Sequence, residues 1–203
     1  MSWLILAVLD WGLVHSLLAS QKAKELARRI LGERGVRFYR LGYNIFACAS
    51  FLPVLAISAL TPDRRLYLVP LPWSGLMVLV ELLAIAVLVI GFRQTDAWEF
   101  LGLRQASGPV ETRQGNLVTN GMYRFVRHPL YSAGIAFIWL MPIMTVNVLA
   151  ISLALTLYVV IGAVFEERKL LREFGQAYAD YAAVTPMFIP FISFIPFIKG
   201  NKK

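Results

Sequence analysis

Two short stretches concentrate the side chains that could do chemistry. "RFVRHPLYSAG", residues 124–134, sets Arg124, Arg127 and His128 against the start of an apolar run. "EERKLLREFGQAYADY", residues 166–181, places Glu166 and Glu167 after the end of that run, with Tyr178 and Tyr181 further on. Arginine offers a planar fork of donors suited to a carboxylate, while carboxylates and aromatic faces suit cations. His128 is the one member that titrates near neutral pH. Together these types fit a ligand carrying both signs of charge. The plainer alternative is that Arg and Glu anchor and pair at helix ends. Pro129 suits the first turn of a helix, where its missing N–H costs nothing. Ser132, Ala133 and Gly134 are small enough for close approach by a helix or ligand.

The elements that must position these residues are membrane helices. The chain has 203 residues, 58% of them hydrophobic and 16% charged, with a mean hydropathy of +0.64. A soluble domain is usually about 45–50% apolar and about 25% charged. The excess apolar mass therefore belongs in lipid. A single cysteine, Cys48, excludes an internal disulfide and a cysteine-built zinc cluster, and no metal site is expected. The net charge of +8 is spread between apolar segments, with no basic stripe interleaved with aromatics, which argues against nucleic acid. The N-terminal "MSWLILAVLDWGLVHSLLAS" lacks a basic leader and contains Asp10 and His15, so it reads as a retained helix rather than a signal peptide.

A bilayer core needs about 20 apolar residues in helix. Ser2 to Leu18, Tyr43 to Leu60 and Ser74 to Phe92 approach this, and Leu130 to Phe165 is long enough for two crossings. Pro142 and Asn147 interrupt that last run and suit a turn, predicting a hairpin of Leu130–Val146 and Val148–Phe165. The expectation is an all-α integral membrane protein with five transmembrane helices, an interfacial cytoplasmic helix and an apolar tail. Residues 1–203 form one membrane domain, with a three-span part at 1–115 and a hairpin and C-terminal part at 116–203. Of the twenty basic residues, only Arg64 and Arg65 fall on one side of this topology. By the positive-inside rule the N-terminus is outside and the C-terminus cytoplasmic, which in a bacterium means the inner membrane. The tail carries Pro186, Pro190 and Pro196, which exclude a sixth regular span and favour an interfacial or re-entrant segment.

Two hairpin arms of similar length return the chain to its starting depth. Arg127 and His128 should therefore stand level with Glu166 and Glu167 on neighbouring helices. Beyond them Leu170, Phe174, Tyr178 and Tyr181 recur on one helical face, in which Gly175 is a weak point unless the helix ends or bends there.

"GMYRFVRHPLYSAG" followed by "EERKLLREFGQAYADYAAVTPMFIP" resembles the isoprenylcysteine carboxyl methyltransferase and phospholipid methyltransferase superfamily. The pattern R-H-P-x-Y-x-x-G, then E-E-x-x-L, then F-G-x-x-Y-x-x-Y, is specific in combination and covers roughly Asn116 to Pro190. "HSLLAS", "FYRLGYN" and "DAWEFLGLRQ" in the N-terminal half look more like the NnrU and methanethiol S-methyltransferase branch. The resemblance implies a membrane methyltransferase using S-adenosylmethionine. It assigns His128, Pro129, Tyr131, Gly134, Glu167, Tyr178 and Tyr181 to the cofactor, and Arg127 with Glu166 or Glu167 to the place of methyl transfer. His128 could serve in acid–base work or contact the cofactor. The acceptor, entering from the membrane, could be a thiol, a carboxylate or an amine. Two other readings stay open: an NADPH-dependent sterol-type reductase and a non-enzymatic NnrU-like membrane component. Asp10, His15 and Glu81 lie inside predicted spans, where ionisable groups are functional candidates, but helix pairing or headgroup contact explains each.

Overall fold

The computed structural model describes residues 2–94, 98, 101–107 and 117–192. The expected boundary at 115/116, Arg113, Asn116, Pro196 and the terminal Lys199, Lys202 and Lys203 lie outside them, as do all but Trp98 of residues 96–100. The elements are α1 (Ser2–Ala19), α2 (Gln21–Leu60), β1 (Arg65–Leu68), α3 (Trp73–Gln94), α4 (Leu103–Ser107), a 3₁₀ turn (Gly121–Arg124), α5 (Pro129–Trp139), β2 (Ile143–Thr145), α6 (Val146–Phe174) and α7 (Gln176–Val184). Among the described residues, three helical segments are long and apolar enough to cross a membrane: Gly35–Leu60, Trp73–Arg93 and Val146–Phe174. Trp3–Ala19 and Gln21–Gly32, bent by 61°, add a fourth if counted as one span.

The five expected full-length helices are therefore not all found. The first hairpin arm, expected as helix from Leu130 to Val146, is helical only over Pro129–Trp139. Proline disfavours helical backbone in the residue before it, so Met141–Pro142 ends the helix, and residues 143–145 pair as an antiparallel strand with β1. Asn147 sits at the start of α6 rather than in the turn. The basic stretch after the first span, expected as a loop, is helix through to the second span. It is broken at Gly32, whose φ of +65° is a backbone conformation that glycine adopts at low cost.

Contacts divide the chain into two compact units. The first comprises Met1–Val69, Phe92–Arg113 and Ile143–Leu155. Its apolar centre is Val8 on α1, Val54 on α2 and Ala154 on α6, with Trp11, Phe51 and Ile151 packed around them. Buried Asn147 closes its connections: its side chain donates to the Ser58 carbonyl at 3.2 Å and to Thr61 Oγ1 at 3.0 Å. Its backbone N–H donates to Asp63 Oδ1 at 3.0 Å. Gly102 (φ +85°) lies so close to α2 that an added Cβ would meet the Leu41 nitrogen at 2.5 Å and the Arg40 carbonyl carbon at 2.9 Å.

The second unit comprises Pro70–Gly91, Gln114–Pro142 and Thr156–Lys203. Within it α5 and α6 run side by side, tied at one end by Trp139 Nε1 donating to Thr156 Oγ1 at 2.8 Å. The helix α6 has 29 residues, about 43 Å at 1.5 Å per residue, which exceeds a bilayer core of about 30 Å. Glu166 and Glu167 lie in its last turns. The expected break falls at Gly175 (φ +55°), where α6 ends and α7 sets off.

Candidate functional site

His128 and Pro129 start α5, and the chain just before them is clamped by the segment that follows α7. The backbone N–H of Arg127 donates to the Pro186 carbonyl at 2.9 Å, and that of His128 to the Met187 carbonyl at 3.1 Å. Ser132 Oγ donates to the Phe188 carbonyl at 2.7 Å. Tyr181 on α7 donates its hydroxyl to the Tyr123 carbonyl at 2.6 Å. Sequence reasoning missed Ser132's bond, Thr185 and Phe188, because these contacts are to or from backbone and carry no residue-type signal.

Arg127 is buried, and four of its five N–H donors have protein acceptors. Its Nε reaches Glu167 Oε1 at 2.6 Å and one terminal nitrogen reaches Oε2 at 3.0 Å. The other terminal nitrogen donates to the carbonyls of Ala182 at 2.9 Å and Thr185 at 2.5 Å. The expected meeting of the two polar clusters is thus present, with the two side chains forming a bidentate ion pair of the strong, charge-assisted kind.

Glu167 gathers three donors on one oxygen. Besides Arg127 Nε, its Oε1 is 3.0 Å from His128 Nε2 and accepts from the Tyr178 hydroxyl at 3.0 Å. An ionised carboxylate only accepts, so the contact assigns the proton to His128 Nε2. His128 Nδ1 then faces Glu166, whose Oε2 is 3.8 Å away. Glu166 accepts from the Tyr131 hydroxyl at 2.9 Å, and its side chain remains 44% exposed against 12% for Glu167. The His128 and Tyr131 rings stack at 5.3 Å and 12°. Neighbouring glutamates on a helix point about 100° apart, and here one looks inward and the other outward.

Tyr178 is buried and serves this network. Burial, reinforced by the adjacent Glu167 charge, pushes its phenol far above the usual range. The Tyr181 phenol is pushed up to about 12, chiefly by burial. Tyr178 and Tyr181 meet edge-on at 5.9 Å. Pro129 is buried at the first helical position. Gly134 faces open space, with nothing within 4 Å of an added Cβ. Arg127, His128, Tyr131, Glu166, Glu167 and Tyr178 thus form one connected cluster, with Tyr181 at its edge. Among the described residues there is no grouping of three metal-ligating side chains.

The phospholipid methyltransferase family matches residues 82–177. Over that stretch, a little under half of its length, the chain is similar to members of the isoprenylcysteine and phospholipid methyltransferase superfamily. Methanethiol S-methyltransferase 2 of Bradyrhizobium diazoefficiens is 37% identical over 108 residues, 50% of this chain and 42% of that protein. Methanethiol S-methyltransferase 1 of the same organism is 28% identical over 188 residues, 87% of this chain and 62% of the relative. A methanethiol S-methyltransferase of a Pseudomonas species is 28% identical over 196 residues, 91% and 74% of the two chains. The matches to the first two relatives cover less than two thirds of their length. No solved structure is significantly similar to the chain.

Proposed function

We propose that this protein is an S-adenosylmethionine-dependent membrane methyltransferase whose acceptor is a small or lipophilic thiol. The observation that carries the reading is the split between the two glutamates. Glu167 is consumed by Arg127, His128 and Tyr178, while Glu166 keeps a half-open carboxylate beside the stacked His128 and Tyr131 rings. A carboxylate next to an aromatic stack suits a ligand with an ammonium and a sulfonium. Pro129, Gly134, Tyr178 and Tyr181 complete the cofactor surroundings, Gly134 by leaving room and the others by shaping the wall.

The roles of the charged residues differ. Glu166 would hold the cationic part of the donor. Arg127 and Glu167 position it by joining α5, α6 and the chain after α7 into one rigid frame. When bound, the donor supplies an activated methyl group. The acceptor sulfur would take that methyl group, and the donor would leave as a neutral thioether. Holding both partners in line supplies much of the rate. A thiol acceptor would lose its proton before or during transfer, and His128 Nδ1, with Nε2 engaged by Glu167, would be available to take it. A thiol acceptor is favoured because the relatives are methanethiol S-methyltransferases.

In the bilayer we assign five crossings, N-terminus outside and C-terminus cytoplasmic, in a bacterial inner membrane. The short α5 reaches about 16 Å and the six residues 140–145 at most about 20 Å more, enough together for a core of about 30 Å.

Calorimetry on detergent-solubilised protein with S-adenosylmethionine, S-adenosylhomocysteine and NADPH tests the reading. Binding of the first two and not the third is expected, followed by methyl transfer to methanethiol. Binding of NADPH alone would turn the assignment to a reductase, and binding of none to a non-enzymatic component.

A further inference from the structure

We infer that Gln21–Leu31, the first part of α2, is a surface helix that binds the headgroups of anionic phospholipids. The inference is independent of the methyl-transfer site. Ser20 caps the helix by accepting from the Ala23 N–H at 3.2 Å, and Gly32 ends it. The segment turns 61° away from α1. If α1 tilts as membrane helices usually do, by about 20°, such a turn leaves the eleven residues between about 40° and about 80° from the membrane normal, oblique to the bilayer rather than across it. Lys22, Lys24, Glu25, Arg28 and Arg29 are too many charges for the hydrocarbon interior, so this is neither a span nor a re-entrant helix.

The side chains are sorted for an interface. At about 100° per residue, Leu26, Ile30, Ala23, Ala27 and Leu31 fall within an arc of about 140°. Lys22 and Arg29 border that arc on one side, Lys24 and Arg28 on the other, and Glu25 lies opposite. Ala27 packs into the protein, whereas Leu26 is 57% and Ile30 70% exposed. Exposed Lys22 and Arg29 flank Leu26 and Ile30 directly. An apolar strip edged by basic side chains is the pattern of a helix lying at the headgroup boundary, its apolar side in the acyl region and its cations on phosphates. The chain continues into Gly35–Leu60, which is apolar enough to span, so the segment is held at the membrane surface by helices at both ends.

The test is hydrogen–deuterium exchange on the full chain in nanodiscs of phosphatidylcholine alone or mixed with phosphatidylglycerol. Each basic residue near an anionic surface contributes roughly fivefold to binding. Backbone amides of residues 21–31 should therefore exchange at least about tenfold more slowly with phosphatidylglycerol present, and the difference should shrink at high salt. Lys22→Gln with Arg29→Gln should erase the difference while exchange across Gly35–Leu60 stays as in wild type, showing that the fold is intact. Equal exchange in the two lipids, slow or fast, would overturn the inference. So would slowing by soluble polyglutamate in phosphatidylcholine discs without any effect of phosphatidylglycerol, which would point to an acidic protein partner.

Discussion

Arg127→Lys keeps the charge and removes the fork. In the native site the guanidinium makes four hydrogen bonds: two to Glu167 and one each to the carbonyls of Ala182 and Thr185. An ammonium is a single point with three donors and cannot reach Glu167 on one side and both carbonyls on the other. At least one buried acceptor is left empty, and each costs about 1–3 kcal/mol. With one charge-assisted bond to Glu167 also lost, the expected destabilisation is about 2–4 kcal/mol. For a chain of this size each kcal/mol lowers the unfolding midpoint by about 2–4 °C, so the ligand-free protein should melt at least about 4 °C lower. Thermal unfolding in detergent without cofactor, paired with transfer assays, reads both effects. Glu167→Gln should destabilise similarly, and the double variant should cost less than the sum because the two residues share one network. A midpoint within about 1 °C of wild type, together with a tenfold loss of turnover, would refute this reasoning and return Arg127 to a role on the substrate itself.

Glu166→Gln should do the reverse. Its amide oxygen still accepts from Tyr131, so stability should change by no more than about 0.5 kcal/mol. Affinity for S-adenosylmethionine should fall about tenfold, roughly 1.4 kcal/mol; calorimetry beside a thermal melt would expose the idea if both or neither changed. Tyr181 makes alkaline pH destabilising. Its folded value of about 12 lies above the roughly 10 of an unfolded tyrosine, so its contribution is complete below about pH 10 and is lost as pH rises toward 12. Tyr181→Phe should flatten that part of the stability profile, and an unchanged slope would count against it. Gly102→Ala forces a side chain into left-handed backbone, about 1–2 kcal/mol, and against the Arg40–Leu41 backbone. Its melting point should fall by several degrees, and a wild-type value would mean that the close approach is not there.

The sequence by itself determined which residues would meet. A hairpin in an apolar run returns the chain to its starting depth, so Arg127 and His128 opposite Glu166 and Glu167 could be expected, although the first arm covers the distance with a short helix and an extended segment rather than by helical rise alone. The end of α6 at Gly175 was legible for a comparably local reason, since glycine pays least for the left-handed backbone that ends a helix. Segment lengths and the clustering of apolar residues likewise revealed α1, α3 and the apolar end of α2.

Tertiary structure decided what the residues do once together. Glu166 and Glu167 are alike in sequence, and only the packing of α6 on α5 turns one toward Arg127 and leaves the other half-exposed. Two of the four hydrogen bonds of Arg127 go to the carbonyls of Ala182 and Thr185, and a backbone acceptor leaves no trace in residue type. The length of α5 was also hidden. Residues 140–145 are as apolar as the helix before them, but antiparallel pairing of β2 with β1 offers their backbone a partner that hydropathy does not record. Tyr178 lay on a legible helical face, yet only the fold buried its hydroxyl on Glu167. Periodicity tells which side of a helix is apolar; it does not tell what that side meets.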